Sequence, residues 1–232
     1  MSVTSALFYR QHVLIPLCIM MPVLAMFEFF HWDLDIAQWL YQLENNQWTL
    51  RHAWLTDTVI HSGGRNLIIL MAIIVIFKLG LTFYHRRQRR EWLYLFLSVA
   101  TSMLIISGLK SLTHMDCPYN LIPFGGSNPY VPLLAIRPEG WAFNGHCFPA
   151  GHAGGAYSWV ALYYFCLLAG KPQWKWLGLI GAISLGVTFD ISQQLRGAHF
   201  MSHGLWSLTI SWLVASGYYW LCTHKKDGNN TL

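Results

Sequence analysis

The sequence predicts an all-α membrane protein, a single-domain bundle of six transmembrane helices over residues 1–232 with both termini on the cytoplasmic side. Three observations carry that expectation. Of 232 residues, 54% are hydrophobic and 11% charged, under half the charged share of an ordinary soluble domain. Six apolar runs each approach the roughly 20 residues that a bilayer core requires. Lys and Arg are divided unevenly between the connections, and basic residues flanking short loops stay in the cytoplasm. A soluble enzyme is therefore disfavoured. Low apolar content, a Gly triplet and dense cysteines are all missing, which excludes disordered, collagen-like and disulfide-scaffold chains.

The first run, 13–30, is too long for a signal-peptide core, and Phe27, Glu28 and Phe29 stand where small residues would mark cleavage, so it is expected to remain a helix. The second, 66–84, contains Lys78 near its inner end, close enough to snorkel to the interface. The others are 92–109, 153–170, 174–189, which is the shortest, and 204–222. With both termini inside, nine basic residues are cytoplasmic: Arg10, Arg86, Arg87, Arg89, Arg90, Lys171, Lys175, Lys225 and Lys226. Five face outward: Arg51, Arg65, Lys110, Arg137 and Arg196. The acids run the other way, with Asp33, Asp35, Glu44, Asp57, Asp116, Glu139 and Asp190 outside. The formal charge of +5 is thus a topology signal and points to no nucleic-acid partner. Twelve tryptophans, among them Trp32, Trp39, Trp48 and Trp54, fit an interfacial belt.

Polar sequence collects in three outward segments, 31–65, 110–152 and 190–203, so function is expected on the outer face. The second reads as an irregular ordered loop, because six prolines and the Gly125-Gly126 pair interrupt it. Ionisable residues stand at the outer ends of spans: Lys110 closing the third, His152 opening the fourth, and Arg196, His199 and His203 between the last two. Charge gathered at one membrane depth marks a functional site by default, against the alternative of interfacial anchoring.

The spacing of these residues resembles the type 2 phosphatidic acid phosphatase superfamily, integral membrane lipid phosphatases related in fold to vanadium haloperoxidases. That family shows Lys-x6-Arg-Pro, then Pro-Ser-Gly-His, then Ser-Arg-x5-His-x3-Asp. This chain keeps the first spacing from Lys110 to Cys117-Pro118, the second in Pro149-Ala150-Gly151-His152, and the third from Ser192-Gln193 through His199 to His203. Four positions depart: Cys117 and Gln193 replace the two arginines, Ala150 the serine and His203 the aspartate.

The resemblance implies that His199 attacks phosphorus and forms a phosphohistidine, that His152 is the general acid and that Lys110 holds the phosphate. No cofactor or metal is implied. It further implies a bacterial inner-membrane enzyme with its site facing the periplasm, acting on undecaprenyl pyrophosphate, phosphatidylglycerol phosphate, phosphatidic acid or lipid A phosphates. Its oligomeric state stays open. So does the alternative of a catalytically reduced member that binds or translocates phospholipid without turnover.

Residues near the departures offer compensation. If 192–203 is helical, Arg196 lies one turn from Gln193 and brings a guanidinium to the same phosphate, while His203 lies one turn from His199 and orients it. Arg137 is a second candidate clamp, and backbone N–H groups around Gly151 can bind anionic oxygens. Asp116 and Asp190 are candidates for the missing carboxylate. His199 and His203 also have a zinc-ligand spacing, but positions 200–202 are Phe, Met and Ser, without the Glu of a zincin, so no metal is expected. Residues 61–65, His-Ser-Gly-Gly-Arg, read as a plain loop before a helix or as a phosphate-cradling turn. Cys117 and Cys147 share one outward loop, where a disulfide between them can persist. Two free thiols remain the alternative. Cys18, Cys166 and Cys222 lie in spans as small apolar residues.

Overall fold

The computed structural model describes residues 5–85, 88–136, 140 and 145–224. Arg86, Arg87, Arg137, Glu139, Lys225 and Lys226 lie outside the described residues, so the expectations placed on them go without a structural account. Nine α-helices are described: α1 Ser5–Tyr9, α2 Ile15–Phe30, α3 Trp32–Leu43, α4 Gly64–His85, α5 Arg89–Thr113, α6 Gly151–Tyr157, α7 Leu162–Leu168, α8 Lys175–Leu195 and α9 Met201–His224. Among the described residues there is no strand beyond one isolated bridge, Leu121 with Asn128.

Four helical stretches are long and apolar enough to cross a membrane: Ala6–Phe30, Trp54–Tyr84, Arg89–Asn120 and Pro172–Leu195. Large apolar side chains on their outer surfaces, such as Phe77, Leu104 and Leu177, are exposed, as lipid-facing residues must be. The chain is an integral membrane protein. The other two runs expected as spans are also helical but carry more polar atoms. In α9 the groups of His203, Ser207, Thr209, Ser211 and Ser216 are buried, and the stretch from α6 to α7 is interrupted by a 3-10 turn at Ser158–Ala161. Inward-facing hydroxyls are ordinary in membrane bundles, where they bond to the preceding turn or across helices, and they lower apparent hydropathy without exposing polarity.

Glycines set the helix spacing at the centre. A methyl at Gly186 would fall 2.2 Å from the Tyr157 ring, and one at Gly154 would fall 2.7 Å from Ile106, so α8 and α5 can approach α6 only with hydrogen at those positions. The N-terminal segment packs against α7 and α9, toward the opposite end of α9 from His203. His12 bonds the Tyr164 hydroxyl at 2.9 Å through its ring and accepts from Trp212 at 2.8 Å through its carbonyl.

Three expectations are corrected. The outward segment 31–65 is largely helical, containing α3 and a π-helical stretch, Trp54–Gly63, that runs straight into α4; residues 61–65 therefore form neither a loop nor a cradling turn. Trp48 is no interfacial anchor, since it packs against Tyr41 and Phe124 and over Gly197. Finally, 192–203 is not one helix. The chain leaves α8 after Leu195, turns left-handed at Gly197 with φ 61°, and restarts at Met201. A methyl at Gly197 would sit 2.5 Å from the Trp48 indole, so both backbone conformation and space demand glycine there.

The new helix is capped from far away. Asp33 in α3 accepts from the backbone N–H of Ser202 at 3.0 Å and from its hydroxyl, supplying the acceptor that a helix start requires. Asp33 is 7% exposed, and burial pushes its carboxyl up to about 6, against the opposing bonds from Ser202. Between about pH 4 and 6 the folded chain therefore holds a proton that the unfolded chain has released, so stability falls as pH rises through that window, by roughly 2–3 kcal/mol. Unfolding midpoints in mixed micelles across pH 4 to 7 should show this decline in the wild type and a flatter profile in Asp33→Asn. Parallel profiles would assign the dependence to other groups.

Candidate active site

The C-terminal ends of α5 and α8 and the N-terminal ends of α6 and α9 bring most of the sequence-predicted site residues together. Lys110 lies in the last turn of α5, half-buried, with its ammonium over the start of α6. A methyl at Gly151 would come 3.2 Å from Lys110 Nζ, so glycine there leaves room for the cation and for whatever it binds. The first amides of α6 have no partner in the preceding turn, and Gly154 is the first to close onto Ala150 O, at 2.9 Å.

His152 follows at the second position of α6. Its ring stacks on Phe189 of α8, centroids 4.3 Å apart and 16° from parallel, and lies 4.6 Å from the ring of His61. Nε2 of His152 is buried without a hydrogen-bond partner. Gln193, at the family arginine position, donates from Nε2 to Nδ1 of His61 at 2.8 Å. The chain thus has an amide-imidazole pair beside His152 where the family pattern has a guanidinium.

His199 occupies the short connection between α8 and α9 and is buried. Its Nδ1 lies 2.6 Å from the carbonyl oxygen of Cys147. A carbonyl can only accept, so the proton sits on Nδ1 and Nε2 carries the free lone pair. Burial, followed by the charges of His203 and Lys110, holds the His199 imidazole well below its usual range, which favours the neutral ring at pH 7. His203 links it to the start of α6: its ring lies 5.8 Å from that of His199, and its carbonyl accepts from the Ala150 N–H at 3.1 Å, next to the Gly151 that faces Lys110.

The remaining candidates stand further off. His203 is buried, with ring centroid 5.8 Å from that of His199, edge to face, and no hydrogen bond joins the two; on separate sides of the helix break they do not share the helical face expected of them. Arg196 caps α8, its N–H still bonded to Ser192 O at 3.2 Å, so it stands one helical turn from Gln193 as expected. Its guanidinium donates to the Arg51 carbonyl at 2.9 Å and to Asp57 Oδ1 at 2.6 Å, on the same neighbouring helix whose His61 accepts from Gln193. Asp116 binds Asn128 at 3.0 Å, and Asp190 binds Gln194 at 3.3 Å while lying against Gly204; neither bonds to His199. Arg137 lies outside the described residues.

The structure joins Cys117 and Cys147 in a disulfide with Cα atoms 5.3 Å apart. Among the described residues no group of three or more His, Cys, Asp or Glu has metal-holding geometry. His203 also walls an apolar cavity of about 120 Å³ formed with Leu24, Phe29, Phe148 and Trp206.

Residues the sequence did not single out for the site are Asp57, Asp33 and the Cys147 carbonyl, and His61 was not tied to His152. Asp57 and His61 are four apart in an outward helix, a spacing that would have paired them had the segment been read as helical. The Asp57–Arg196 ion pair is partly shielded, with side chains 36% and 11% exposed, and should couple by about 1 kcal/mol. A double-mutant cycle with Asp57→Ala and Arg196→Ala, followed by chemical unfolding in micelles, measures it. Strict additivity would reduce the pair to a crystal-like contact without energetic weight.

Comparison with known proteins follows this geometry. No curated protein sequence matches the chain. A crystal structure described as the first transmembrane PAP2 type phosphatidylglycerolphosphate phosphatase from Bacillus subtilis is similar to it, at 19% identity and a TM-score of 0.49, covering 89% of this chain and 100% of that one. The PAP2 superfamily matches residues 91–227, a stretch that contains Lys110, His152 and His199, and on that match the chain belongs to the PAP2 superfamily.

Proposed function

We propose that this protein is a lipid phosphatase that hydrolyses a lipid phosphate or pyrophosphate through a phosphohistidine on His199. The single observation that carries the reading is the gathering of Lys110, His152 and, through His203, His199 around the start of α6, from three separate segments. In this mechanism Lys110 and the first amides of α6 hold the phosphate oxygens. Nε2 of His199 attacks phosphorus while the bond to the leaving oxygen breaks, and that oxygen takes its proton from His152. Water then gives a proton to His152 and its oxygen to phosphorus, and the phosphorus–nitrogen bond returns its electrons to Nε2. The phosphate's own charge supplies what an imidazolium at position 152 needs in order to persist in a buried setting. Arg196 contributes from behind His61, its charge partly balanced by Asp57.

The finer topology belongs to this proposal. Six spans with both termini cytoplasmic follow from the basic residues of the inner connections, and they put the site at the outer face, the periplasmic side of a bacterial inner membrane. The apolar cavity beside His203 suits the chain of a lipid whose phosphate reaches Lys110. The substrates in view are those of the family: undecaprenyl pyrophosphate, phosphatidylglycerol phosphate, phosphatidic acid and lipid A phosphates.

Phosphate release from that panel in detergent tests the reading. His199→Ala should lower kcat at least about a thousandfold, and His152→Ala by about 10²- to 10⁴-fold. No release above the His199→Ala background, from folded protein that still binds the lipids, would replace hydrolysis with binding or translocation alone. The pH profile is a separate check. The nucleophile is inactive only when protonated, and its imidazole is held well below the usual range. The acid limb of kcat/KM should therefore fall below the ordinary histidine value of about 6.5; a limb at or above it would point to a different nucleophile.

A further inference from the structure

The aspartate that would orient the nucleophile in the family pattern is missing, and His203, standing in its place, makes no hydrogen bond to His199. The buried carboxylates nearby bond to other groups and not to His199: Asp33 to Ser202, Asp116 to Asn128 and Asp190 through one oxygen to Gln194, its Oδ1 having no hydrogen-bond partner. The group that does meet Nδ1 of His199 is a backbone carbonyl, that of Cys147, at 2.6 Å.

A carbonyl positions a ring only if its own backbone is fixed, and here it is fixed on every side. Gly145 lies so close to the end of α5 that a methyl on it would fall 2.2 Å from Met115 O. The N–H of Cys147 donates to Met115 O at 3.0 Å, the Thr113 hydroxyl donates to Phe148 O at 2.8 Å, and the Ala150 N–H donates to His203 O at 3.1 Å. The disulfide to Cys117 is the covalent member of this set, and both cysteines are buried. Cys117 is itself the residue at the family arginine position, so a lost phosphate ligand coincides with a gained crosslink.

We propose that the carbonyl of Cys147, held by the Cys117–Cys147 disulfide, is the positioning group for His199 and replaces the family aspartate. It fixes the tautomer with the proton on Nδ1 and aims Nε2 at the phosphorus. The inference rests on the phosphatase reading for its kinetic consequence but not for its structural one. Because the acceptor is a dipole and not a charge, the ring is oriented without being made strongly basic.

The test uses the full-length protein in micelles with nitrogen-15 histidine, comparing wild type with the Cys117→Ser/Cys147→Ser double variant and with Gly145→Ala, which keeps the disulfide but displaces the strand of chain carrying the carbonyl. In the wild type the His199 signals, assigned by their loss in His199→Ala, should show protonated Nδ1 and bare Nε2. In both variants they should shift toward a tautomer mixture, with kcat lowered about 10- to 100-fold and KM within about twofold. A wild-type ring protonated on Nε2 overturns the proposal, as does a folded variant of either kind that retains the wild-type tautomer and kcat. If the double variant does not fold, Gly145→Ala and the wild-type spectrum still decide it. If no lipid phosphate is hydrolysed by the wild type, the phosphatase reading fails, while the nitrogen spectra continue to test the positioning.

Discussion

The left-handed turn at Gly197 is the constraint on which the site depends. Two long helices, α8 and α9, could have continued as one, since Ser192 to His203 contains no proline. Gly197 stops them, at φ 61° and with the Trp48 indole filling the space a side chain would need. Two consequences follow from that one residue. His199 leaves the helical surface to meet Cys147, and α9 must begin afresh, with its free amides answered by Asp33. The turn converts an apolar hairpin into a place where several polar groups can face one another out of water.

What those groups share is burial, which governs the chemistry more than formal charge does. A low-dielectric setting penalises every ion that lacks a partner and strengthens every hydrogen bond that is made. The chain answers mainly with neutral groups: the Gln193 amide on His61, a carbonyl on His199 and the Phe189 ring under His152. Lys110 is then the positive group that faces the start of α6, beside Gly151.

Much of this was legible from residue order. The apolar runs identified the four helices long and apolar enough to cross a membrane, because bilayer thickness imposes length directly. Lys110, Gly151, His152 and His199 were identified by motif spacing, and the chain does assemble them. The relation of His203 to His199 was misread because it assumed an uninterrupted helix; glycine permits a left-handed turn without requiring it, and the requirement comes from Trp48, whose sequence neighbourhood looked like an interfacial belt. Asp33 and Asp57 could not be read at all as site components. Their partners, Ser202 and Arg196, stand 169 and 139 positions away, and no local pattern encodes a contact of that range. The carbonyl of Cys147 was invisible for a simpler reason, since a backbone atom has no letter.

The long reach of Asp33 bears on how the protein comes into being. A chain made from its N-terminus exposes Asp33, Asp57 and His61 long before their partners Ser202, Arg196 and Gln193 are synthesised. Until α9 is in place, α3 has nothing to cap and His199 has no enclosure, so a nascent chain sits in the membrane without a formed site. The gathering of these side chains waits for the synthesis of α9.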